Sequence, residues 1–118
     1  MATVSSHILD SVAGDHAGGI RVELYRIDEN LRERLFSVVT GAEGRVVETV
    51  DTKPHGENAR YELIFQSAAY FVQQSVAADG QQIIDEVVVR LRMPNDDARY
   101  HVPLVLSPHS YTIWWPNL

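Results

Sequence analysis

The chain has no cysteine. That excludes a disulfide framework, a thiolate nucleophile and a thiolate metal site. The absence alone fixes no compartment, although a small unbridged domain fits the cytoplasm. Positive charge is also short: 10 Lys and Arg stand against 16 Asp and Glu, a net charge of −6. Such a chain is poorly matched to a phosphate backbone or an anionic membrane, so neither nucleic acid nor membrane is expected as a partner. No apolar run approaches the roughly 20 residues that cross a bilayer as a helix. The opening Met-Ala-Thr-Val-Ser-Ser has no basic region and no long apolar stretch, so no signal peptide is expected. There is no internal repeat and no low-complexity segment.

What is present suits one soluble domain over residues 1–118: apolar residues make up 45%, enough for a core, and charged residues 22%. The clearest pattern lies near the end of the chain. Tyr100, Val102, Leu104 and Leu106 share one parity, and Arg99, His101, Pro103 and Val105 the other. A period of two is the mark of a strand with one buried face. His101 then points away from the apolar face, on the side of Pro103. Proline cannot donate to a ladder, so the strand is at an edge or irregular there. Ser107-Pro-His-Ser110 is a turn, and 111–115 reads as the return strand of a hairpin.

The same alternation predicts strands over 3–10, 20–27, 34–40, 46–50, 59–65 and 83–93. His7 and Leu9 share one face of the first, Ile8 and Asp10 the other. Glycine-rich breaks fall at 12–19 and 41–44, and a loop at 51–58. Residues 67–77 form the one helical candidate, with Ser67 as its N-cap. About eight short strands and one short helix predict an all-β, eight-stranded antiparallel two-sheet sandwich.

Four segments, in this order, carry a family resemblance: Ser6-His-Ile-Leu-Asp10; Gly44-Arg45; Tyr61-Glu-Leu-Ile-Phe65 with Ala69-Tyr-Phe71; and Tyr100-His-Val-Pro-Leu-Val-Leu-Ser-Pro108. From about residue 3 to 111 the chain resembles the transthyretin-like family, whose enzymatic branch is 5-hydroxyisourate hydrolase of urate catabolism. The resemblance implies a two-sheet sandwich and a homotetramer with ligand sites in a channel between dimers. It implies His7, Arg45 and His101 as the catalytic residues, and no cofactor. The chain departs from the hydrolases at its end. They close with Tyr-Arg-Gly-Ser; here Trp114, Trp115, Pro116 and Asn117 stand at those places, followed by Leu118.

Taken singly, His7 and His101 read as partly exposed strand histidines and Arg45 as a solvated loop residue. Together they suit hydrolysis. A neutral imidazole can take a proton from water near neutral pH, and a guanidinium can stabilise an oxyanion. Tyr111, Trp114 and Trp115 are candidate substrate contacts. The two tryptophans alternate and so face opposite sides, one packing and one walling a pocket; ordinary interface aromatics fit equally. His16, His55 and His109 lie in turn-like segments and read as surface residues. No histidine pair has the helical spacing of a zinc motif, and Arg45 would repel a cation, so no metal is expected. The leading reading is a hydrolase opening a small heterocyclic ring amide. The runner-up is a relative acting on a larger, more apolar heterocycle by ring opening, closure or hydration. The third is a non-catalytic small-ligand carrier.

Overall fold

The computed structural model describes residues 1–74 and 82–116. Its centre is the first strand, β1 (Ala2–Asp10). On one side β1 pairs antiparallel with β5 (Arg45–Val50) along Ala2 to His7, then with the two-residue β2 (Asp15–His16) at Leu9 and Asp10. On the other side it pairs parallel with β8 (Arg99–His101) and then β9 (Leu104–Leu106). β10 (Tyr111–Ile113) closes the hairpin with β9 and completes a six-stranded sheet. The second sheet runs β4 (Arg32–Val39), β3 (Arg21–Ile27), β6 (Arg60–Phe65), β7 (Val87–Arg92), all antiparallel.

The two-sheet sandwich holds, with two differences. Ten strands replace eight, because 15–16 pairs with β1 and because 100–106 is cut at Val102-Pro103. The first sheet is mixed, not antiparallel, since β8 and β9 run alongside β1 in its own direction. Pro103 is the reason for the cut. β8 and β9 keep one register against β1, so Pro103 falls opposite His7, where it has no N–H to give. Val102 still donates to the Ser5 carbonyl at 2.8 Å, and the Ser6 hydroxyl reaches back to the Val102 carbonyl at 2.6 Å.

The core lies between the sheets. Val4, Ile8, Leu104 and Leu106 from the first pack against Val22, Leu24, Tyr61, Leu63, Phe65 and Val87 from the second. Those of 20–27, 59–65, 83–93 and 100–106 belong to the parity that alternation grouped on the apolar face; for 3–10 alternation named two faces without choosing the inner one. Strand ends follow their partners, not their own composition. The predicted 83–93 strand shrinks to Val87–Arg92 because its neighbour β6 stops at Phe65, opposite Val87.

A helix, α1 (Ser67–Gln73), follows β6. The last part of the predicted 67–77 helix lies outside the described residues. Gln66, not Ser67, occupies the N-cap, and it gives no side-chain cap because its amide is drawn to Glu23 and Glu86. Ser67 is instead the first helical residue, buried, with no partner for its hydroxyl among the described residues.

The helix secures β1. Tyr70 donates to Asp10 Oδ2 at 2.7 Å, while Asp10 Oδ1 accepts the Val12 and Ala13 N–H groups at 2.9 and 3.0 Å. Burial and the adjacent carboxylate push the Tyr70 hydroxyl far above its ordinary value, so it stays a donor. A buried carboxylate that loses a donor keeps its desolvation cost. Tyr70→Phe should therefore cost about 1.5–3 kcal/mol of stability, read from the urea midpoint at constant m.

Candidate functional site

The outer face of the first sheet is a grid set by register. Residues directly opposite across paired strands project to the same side. Thr3, Ser5, His7 and Leu9 of β1 point outward. His7 lies opposite Arg45; Ser5 lies between Val47 and His101; Thr3 lies between Thr49 and Arg99. Leu9 lies between His16 and Val105, and Thr112 continues that row. His7 and Ser5 are two residues apart, about 7 Å along a strand. Arg45 and His101 thus approach His7 from opposite sides of one strand.

A glycine makes the Arg45 placement possible. Gly44 has φ 67°, and a Cβ there would sit 2.5 Å from the Ile8 carbonyl oxygen. Only glycine allows this approach cheaply. Its carbonyl accepts the Ile8 N–H at 2.8 Å, which starts β5 one residue later, opposite His7. The Gly-Arg pair is therefore a register device as well as a source of charge.

Each histidine has a partner that sequence reasoning missed. Ser5 Oγ lies 2.8 Å from His101 Nδ1, leaving Nε2 as the free ring nitrogen. His16, read as a surface residue, is exposed but is not idle: its Nδ1 lies 2.9 Å from His7 Nε2, with ring centroids 5.1 Å apart. Arg99 joins the same face beside His101. Parity alone could have flagged Ser5. Nothing in the sequence flags His16, because a two-residue strand leaves no periodic trace. His55, also read as surface, is half-buried with Nδ1 2.9 Å from the Tyr61 hydroxyl, away from this face. His109 is exposed.

The aromatic candidates divide. Trp114 donates its N–H to the Pro103 carbonyl at 3.4 Å, which extends the β9–β10 register and sets it in the row of Pro103, His7 and Arg45. It is 45% exposed. Tyr111 lies opposite buried Leu106, on the inner parity, and Trp115 leans on Tyr100 at 5.8 Å between ring centroids. Within one chain neither joins the trio. The 111–115 strand ends at Ile113 because its partner β9 starts only after Pro103.

Both site histidines are held below the ordinary imidazole value. For His101 the causes are burial, then Arg45, then Arg99. For His7 they are burial, then Arg45, His16 and His101, with the Glu43 carbonyl working the other way. Arg45 is a cause common to both histidines. The face is thus a neutral imidazole pair beside a permanent cation, suited to taking a proton and stabilising a negative oxygen. Among the described residues no group of three or more His, Cys, Asp or Glu side chains is placed to hold a metal ion.

The sign of the pH effect follows. Well above pH 6.5 both rings are neutral whether folded or unfolded. As pH falls below that value the unfolded chain takes up protons first, so stability declines. Arg45→Gln should raise the titration midpoints of His7 and His101 together, toward but not above 6.5, since burial remains. Imidazole C–H resonances followed against pH in wild type and variant check this.

Residues 4–115 match the HIUase/Transthyretin family. Over 117 residues the chain is 33% identical to the 5-hydroxyisourate hydrolase of Pseudomonas aeruginosa, covering 97% of this chain and 90% of that one. Its fold is similar to the Klebsiella pneumoniae 5-hydroxyisourate hydrolase, with TM-score 0.76, 25% identity and coverage of 98% and 99%. It is also similar to (S)-allantoin synthase, with TM-score 0.79 and 27% identity, although the chain spans only 44% of that protein's length. The grid of His7, Arg45 and His101 falls inside the matched region, and the chain belongs to the HIUase/Transthyretin family.

Proposed function

We propose that this chain is a hydrolase that opens a small ring amide, with 5-hydroxyisourate as its substrate. The observation that carries the reading is the register: two imidazoles and one guanidinium from three strands meet on one sheet face. The named activity of the relatives supplies the substrate.

The residues divide the work by their chemistry. A neutral imidazole, His7 or His101, accepts a proton from water as the oxygen bonds to the amide carbon. Arg45 stabilises the negative charge that gathers on the amide oxygen. The carbon–nitrogen bond then breaks, and the nitrogen takes a proton from the imidazolium. Ser5 keeps the His101 ring in one orientation throughout. Trp114 forms an apolar border in the row of His7.

One chain does not enclose this site. A cleft of about 780 Å³ is lined by Arg26, His55, Asn58, Arg60 and Arg90 among others and contains none of the trio. The outer face instead leaves Val47 61% and Trp114 45% exposed. Apolar surface beside a polar site favours a covering partner. A homotetramer, with each site between dimers, accounts for that exposure. Cytoplasmic residence belongs to the same proposal and fits a chain without cysteine.

Freshly oxidised urate tests the reading. The protein should accelerate decay of 5-hydroxyisourate over buffer and elute at the mass of four copies of the 13.3 kDa chain. His101→Ala should lower kcat/KM by about 10²-fold or more, the usual scale of a lost acid–base group. No acceleration by the wild-type tetramer removes this substrate. Turnover by a clean monomer removes the shared channel.

A further inference from the structure

His7 does not face the substrate side alone. Its Nε2 is committed to His16 Nδ1 at 2.9 Å, so one of the two rings donates, the other accepts, and the pair cannot be doubly charged and keep this bond. His16 sits on β2, an edge strand of the sheet, and lines a hollow of about 340 Å³ with Leu9, Ser11, Gly14, Asp15 and Val105. The His16 side chain is exposed in the single chain.

We propose that His16 is a positioning and proton-relay residue: it holds the His7 ring and carries out to solvent the proton that the product acid releases to His7. The inference rests on the hydrolase reading.

The reaction demands such an exit. Water supplies an oxygen to the amide carbon and one hydrogen to the freed nitrogen. The new acid is ionised at neutral pH, and a nitrogen conjugated to a neighbouring carbonyl does not keep a second proton. One proton per turnover must therefore leave. The product acid gives that proton to His7 Nδ1, the proton on His7 Nε2 crosses to His16 Nδ1, and the proton on His16 Nε2 departs to water. Exchange with solvent then restores the first tautomer. No bond to His16 forms or breaks except those to hydrogen.

The surroundings favour discharge over retention. Arg45 from β5, His101 from β8 and His16 from β2 all disfavour a charge on His7, and only the Glu43 carbonyl favours one. Beside His16, Asp15 accepts the His16 backbone N–H at 2.7 Å and gives the edge a negative neighbour. The environment of His7 thus works against its keeping a charge.

His16→Ala and His16→Gln test this in the full-length protein, and both should fold because the side chain is exposed. His16→Ala should lower kcat about tenfold with KM within about twofold, a modest share of the range for acid–base groups. Imidazole added to the buffer should restore kcat in a concentration-dependent way. His16→Gln can hold the His7 ring but cannot titrate, so it too should be slow and rescued. In His16→Ala the NMR midpoint of His7 should rise, because a neighbouring ring that lowers it is gone. Wild-type kcat in His16→Ala, or a loss that imidazole does not restore, overturns the relay. Independent, unshifted titration of His7 overturns the pairing, and it can be read even if 5-hydroxyisourate is not turned over. That last failure would fall on the hydrolase reading instead.

Discussion

The register of β1 is the constraint on which everything else rests. This strand is hydrogen-bonded along both edges, to β5 and β2 on one side and to β8 and β9 on the other. A slip of one residue would turn every side chain to the opposite face. His7 would enter the core, and Ile8, now fully buried, would meet solvent. The apolar inner parity therefore enforces the polar outer one. Two local devices pin the alignment. Gly44 lets β5 begin against the Ile8 carbonyl, and Asp10 ties the far end of β1 to the helix through Tyr70.

Geometry then sets the chemistry. Sheet rows place a guanidinium beside two imidazoles, and the guanidinium discourages their protonation. In the proposed reaction a base must be empty to act, so the guanidinium that would stabilise the forming oxyanion would also keep its neighbours ready. Burial works in the same direction. One side of the scaffold stores apolar free energy while the other presents proton-transfer groups. The break at Pro103 links the two, since it frees the strand opposite His7 and lets the terminal segment bring Trp114 alongside.

Much of this was legible in the sequence. Period-two runs in 20–27, 59–65 and 100–106 identified strands and their inner faces, and Pro103 marked the irregular point. The family resemblance singled out His7, Arg45 and His101, and the strand register sets all three on one sheet face. What escaped was whatever depends on a neighbour. The ends of β7 and β10 follow the reach of β6 and β9. The parallel pairing of β8 and β9 with β1 joins residues nearly a whole chain apart. Parity separated Trp114 from Trp115, but only register decided that Trp114 takes the site side. His16 was hidden between glycines in a segment that reads as a turn, and folding alone brings it to His7.

A crystal structure with a bound, hydrolysis-resistant urate analogue would locate the substrate site. The ligand is expected on the outer face of the first sheet, within hydrogen-bond reach of Arg45 and of His101 Nε2, with a neighbouring subunit closing over it. A ligand seated in the cleft lined by Arg26, His55 and Arg60, with the outer face empty, would contradict that placement.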